Sequence, residues 1–106
     1  MLKAEDYTYR VFWSERDGAY VATVAEYPSL SSIEDSQKAA FAGIVDLVAD
    51  TLDEMKESGE VPPQPLAKRE YSGNIRLRMP KEQHRRVAME AAEQGVSINQ
   101  LLVSRV

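Results

Sequence analysis

The chain has no cysteine, which excludes a disulfide framework, a thiolate zinc site and a thiol nucleophile. Its single histidine, His84, has no serine and aspartate partner that the sequence pattern brings to it, so no Ser-His-Asp grouping can be assembled. None of its five glycines belongs to a Gly-rich phosphate loop. No apolar run approaches the ~20 residues needed to cross a bilayer. The opening Met1-Leu-Lys-Ala-Glu-Asp6 is too polar for a signal peptide. These absences lead us to expect a cytoplasmic protein with no membrane contact.

What is present is 106 residues with 43% hydrophobic and 28% charged side chains, enough for a buried core in one domain or two small modules. The net charge of −4 conceals a division. Residues 1–66 hold five Lys/Arg against thirteen Asp/Glu, a balance of −8, whereas residues 67–106 hold eight against four, a balance of +4. Such asymmetry points to one module that meets polyanions and another that repels them or binds cations.

Tyr7–Ser14 and Ala19–Ala25 are rich in β-branched and aromatic residues and flank Glu15-Arg-Asp-Gly18. That spacing predicts a β-hairpin with Gly18 in its turn. Tyr7, Tyr9, Val11 and Trp13 share one face of the first strand, and Leu30–Ile33 can return as a short third strand after Pro28. We read Trp13 and the five tyrosines as core and interface cover. From Ser36 the period becomes helical. Phe41, Ile44, Val45, Val48, Leu52 and Met55 recur at three- and four-residue steps, with Asp35 or Ser36 as N-cap and Gly59 as stop. The opposite face carries Asp46, Asp50, Asp53, Glu54 and Glu57.

Val61-Pro-Pro-Gln-Pro-Leu66 interrupts the pattern and reads as an extended polyproline linker over residues 61–70. Beyond it, Ile75, Leu77 and Met79 alternate with Asn74, Arg76 and Arg78, the pattern of one strand with an arginine-bearing face. Pro80 suits the start of a helix with His84, Val87, Ala88 and Ala91 along one stripe, His84 packed or half-buried, and Gly95 as its end. Ser97-Ile-Asn-Gln100 fits a capping box, and Ile98, Leu101 and Leu102 form the inner face of a second helix. The expected fold class is α+β, a hairpin or meander packed on one long helix followed by a β-α-α module. A lone strand lacks a ladder partner, and a module of about 35 residues without disulfide or metal needs oligomerisation to be stable. The pattern therefore requires a homodimer, with assembly beyond the dimer left open. Two such strands side by side match the width of the major groove.

Strand, Pro-started helix, Gly95-Val-Ser-Ile-Asn-Gln100 and second helix resemble the ribbon-helix-helix (Arc/MetJ-type) fold. Asp17-Gly-Ala-Tyr-Val-Ala-Thr-Val-Ala-Glu-Tyr-Pro-Ser-Leu30 and the helix opened by Ala39-Ala-Phe-Ala-Gly-Ile44 are similar to HicB antitoxins. The resemblance implies a type II antitoxin: residues 1–60 would be a shortened RNase H-like module that binds a small basic HicA-type ribonuclease toxin. Residues 71–106 would dimerise and bind double-stranded operator DNA to repress the protein's own operon. By position, Asn74, Arg76 and Arg78 would face bases, and Ser97, Lys81 and Arg85 phosphates. Ile75, Leu77, Met79, Ile98, Leu101 and Leu102 would form the dimer core, and Asp46, Asp50, Asp53 and Glu54 would meet the toxin. The chain departs from the family at Ser29-Leu-Ser-Ser32, where many members carry Pro-Gly-Cys, and its last helix is short, implying a thin dimer core or a trimmed chain.

Two rival readings remain. One is a stand-alone regulator whose N-terminal module senses a ligand. The other is a divalent-metal nuclease using Asp46, Asp50 and Asp53 or Glu54. Such sites normally draw ligands from several elements around a cleft, whereas one helix face would supply all of these. The expectation is therefore no enzyme, no metal and no cofactor.

Overall fold

The computed structural model describes residues 1–106. The chain divides into two units, Met1–Tyr71 and Ser72–Val106. The first is a three-stranded antiparallel sheet in the order β1 (Tyr9–Ser14), β2 (Ala19–Val24), β3 (Ser31–Glu34), covered by the long helix α1 (Gln37–Ser58). The second contains α2 (Lys81–Gln94) and α3 (Ile98–Val103). The whole is α+β, and no helix is long and apolar enough to cross a membrane.

The hairpin forms where the sequence places it. Ser14 pairs with Ala19, and Gly18 takes the left-handed φ of +60° that closes the intervening loop. The Ser14 hydroxyl donates to Asp17 Oδ2 and accepts from the Asp17 N–H, which holds the loop shut. Strand pairing sets Tyr9 opposite Val24 and Val11 opposite Ala22, so these four stand on one side of the sheet. There they meet α1, whose Ala40, Ile44 and Val48 are fully buried at four-residue steps. Burying Ile44 and Val48 contributes about 1.5–3 kcal/mol each. The helix runs between the expected caps. Ser36 Oγ accepts from the Ala39 N–H, and Gly59 at φ +76° ends it.

The seam is narrower than the sequence stripe suggests. Ala40 is part of it, while Phe41 stays 47% exposed and meets Tyr9 edge-to-face. The helix lies close to the sheet because Gly43 has no side chain. A Cβ there would come within 2.3 Å of Ser32 Oγ on β3.

The proline segment is bound to the first unit instead of spanning free. Pro65 is fully buried. The Tyr7 hydroxyl donates to the Pro63 carbonyl at 2.8 Å. Glu26, just past β2, accepts from the Leu66 N–H at 2.9 Å and from the N–H and hydroxyl of Thr8, each at 3.0 Å. Burial alone would raise the Glu26 pKa, but hydrogen bonds from Leu66 and Thr8 outweigh it and hold the carboxyl below its ordinary value. Lys68 pairs with Asp6 at 3.2 Å, and the Tyr71 hydroxyl donates to the Leu66 carbonyl. Burial pushes the Tyr9 hydroxyl up to about 12, helped by Glu26, so it remains a neutral donor to the Ala4 carbonyl.

Candidate nucleic-acid interface

The second unit is built around a short helical corner. Lys81–Gln94 starts immediately after Pro80, whose carbonyl accepts from the His84 N–H. Gly95 at φ +69° ends the helix, with the Val96 N–H returning to the Ala91 carbonyl. Ser97 and Gln100 form the capping box in full: Ser97 Oγ accepts from the Gln100 N–H at 3.0 Å, and Gln100 Oε1 accepts from the Ser97 N–H at 2.8 Å. Ala91 and Leu101 are the two buried residues of this corner, and Arg105 pairs with Glu90 across it.

Residues 74–79 form no strand in the single chain. The alternating pattern is there, but a ladder needs a second backbone, and the chain offers none at this segment. The consequence is an unusual amount of uncovered apolar surface, with Ile75 91% and Leu77 60% exposed. Ile75, Leu77 and Met79 line one groove of about 800 Å³ together with Ile98 and Leu102. The structure thus brings five of the six expected dimer-core residues to one concave surface. The sixth, Leu101, instead faces the interior of its own unit.

Of the expected DNA-facing residues, two border that groove. Asn74, Arg76 and Arg78 are all exposed on the same extended segment; Asn74 and Arg78 also border the groove, and Arg76 does not. Lys81 and Arg85 are exposed one turn apart on α2. None of these five cationic or amide side chains is held in an ion pair within the chain. Ser97 is different, because its Oγ already accepts from Gln100; only its hydroxyl proton is left for a phosphate. His84, read from its stripe as packed, is exposed and borders the same groove. It sits at the end of the helix stripe where this chain supplies no facing wall.

In the first unit, Asp46, Asp50, Asp53 and Glu54 are exposed along the outer face of α1, and none is in an ion pair. No three of them converge into a group that could hold a metal ion. Glu54 and Glu57 stand in or beside the last turn, where the helix dipole favours cations. The charge is placed against the helix's own preference. Glu26, which ties the proline segment to the sheet, had no signature in the sequence. Its partners lie eighteen and forty positions away.

The HicB family model matches residues 57–106, which takes in the whole second unit and the end of the first. No curated protein and no solved structure matches the chain.

Proposed function

We propose that the protein is a HicB-family antitoxin whose second unit dimerises as a ribbon-helix-helix and represses its own operon. The carrying observation is that the family match covers the one unit whose apolar groove the chain leaves open. Two antiparallel copies of residues 74–79 would give each other the missing ladder and cover Ile75 and Leu77. The same ribbon would present Asn74, Arg76 and Arg78 to base edges in the major groove. Lys81 and Arg85 would anchor phosphates and set affinity, with the Ser97 hydroxyl as a further donor. The charge balance of +4 over residues 67–106 supports this assignment.

In this reading the first unit is the shortened RNase H-like module of the family, and it neutralises a small basic ribonuclease toxin by binding it. Its balance of −8 over residues 1–66 would speed the encounter with a cationic partner. The unpaired carboxylates of Glu54 and Glu57, placed where they oppose the helix dipole, favour a role outside the fold.

The test is a titration of the full-length protein onto duplex DNA from upstream of its own gene, repeated from about 50 to 200 mM salt. Affinity should fall with a log–log slope of about −0.9 per neutralised phosphate. Binding with no salt dependence, or none at low salt, would refute the DNA-binding reading. Co-purification with a small basic protein encoded beside it tests the toxin-binding half. A neighbour that shows no association with the chain would refute that half.

A further inference from the structure

Trp13, Tyr20 and Glu34 form one row across the three strands. Trp13 pairs with Tyr20, and Tyr20 pairs with Glu34, so all three side chains stand on the same side of the sheet. That side holds the core, yet Trp13 remains 47% exposed. The indole meets the Tyr20 ring edge-on at 5.1 Å, and its Nε1 donates to Glu15 Oε1 at 2.9 Å. Neither Glu15 nor Glu34 is in an ion pair within the chain. From Trp13 to Tyr20, with Glu34 and Asp35 added, four carboxylates face a single arginine, Arg16.

Half-exposed tryptophan is a costly residue to leave in water and a frequent anchor of protein interfaces. Its ring quadrupole attracts a cation placed within ~6 Å of the centroid. Glu15 beside it, and Glu34 at the other end of the row, are unpaired carboxylates that supply acceptors for a guanidinium. Arginine fits this combination better than lysine, because its planar head stacks and forks at once.

We propose that the Trp13–Tyr20–Glu34 row is a protein-docking anchor that receives an arginine side chain of a basic partner, with Glu15 and Glu34 as its counter-ions. The inference rests on the reading that the acidic unit binds a basic protein, and it locates the anchor on the sheet, apart from the Asp46–Glu54 face of α1.

Trp13 is the only tryptophan, so its emission reports the site directly. The full-length protein is titrated with a hexa-arginine peptide, following emission and calorimetric heat in parallel. The two signals should saturate together, and hexalysine should bind more weakly at the same salt. Glu15→Gln combined with Glu34→Gln should weaken hexa-arginine binding about three- to tenfold. The four changes Asp46→Asn, Asp50→Asn, Asp53→Asn and Glu54→Gln together should alter it less than twofold. Circular dichroism checks that each variant keeps its fold. Calorimetric binding with unmoved Trp13 emission, or weakening only in the α1 variant, would overturn the anchor and leave the acidic-module reading standing. Equal binding of hexalysine would overturn the arginine assignment. Absence of binding by calorimetry would overturn both.

Discussion

Replacing Glu26 by glutamine removes one oxygen's charge and turns half of an acceptor into a donor. The carboxylate accepts three hydrogen bonds, from the Leu66 N–H and from the N–H and hydroxyl of Thr8. A glutamine amide can accept at only one of its two ends, so either the strap or the start of β1 meets a donor facing a donor. Hydrogen bonds to a charged group contribute about 1.5–3 kcal/mol in total effect when one partner is removed; partial solvent access to Glu26 lowers the expected cost to about 1–2 kcal/mol. For a unit of this size that corresponds to a fall in Tm of roughly 5–10 °C. The sign of the pH dependence follows from the lowered pKa. Stability that Glu26 supplies is present above the ordinary carboxylate range and is lost as pH falls through its folded-state value. The gap between wild type and Glu26→Gln, measured by thermal melts followed by circular dichroism, should therefore be full at pH 7 and close towards pH 3. Equal Tm values at pH 7, or a gap that persists unchanged in acid, would refute the role assigned to this carboxylate.

Gly43→Ala should gain about 1 kcal/mol of helix propensity and lose it again to the contact with Ser32, whose Oγ and Cβ would lie 2.3 and 3.3 Å from the new methyl. In a Ser32→Ala background the same change should be more favourable by about 1 kcal/mol, as read by denaturant melts of the four variants; equal effects in both backgrounds would contradict the packing described. Arg76→Ala and Arg78→Ala should each remove about 1–3 kcal/mol of discrimination between operator and scrambled duplex. Lys81→Ala should weaken both duplexes alike and reduce the salt slope by about one unit. Competition titrations at fixed salt separate the two behaviours.

Local signals were enough for much of the first unit. Asp17-Gly18 between two β-rich runs marks the hairpin, and Ser36 and Gly59 bracket α1 as their cap preferences require. The depth of the helix seam was less visible. Ala40 carries little hydrophobic signal, yet it lies deeper than Phe41 because a helix seated close on a sheet at Gly43 has room there only for small side chains. The Glu26 tie could not be read from spacing, since long-range hydrogen bonds to a proline segment leave no periodicity. For the second unit the sequence pattern carries more than one chain can display. Ile75, Leu77 and Met79 alternate like a strand, but their backbone has no partner within the molecule and their side chains face an open groove. The same incompleteness explains His84, whose stripe was legible and whose covering wall is missing.

Amide hydrogen exchange at residues 74–79 of the full chain, followed as protein concentration is raised, addresses that missing wall directly. Pairing of two copies should give alternate amides of the segment slowed exchange that strengthens with concentration, reaching its limit where the dimer saturates. Exchange at free-peptide rates throughout, with α2 and α3 still protected, would mean that the second unit stands alone and that the ribbon does not form.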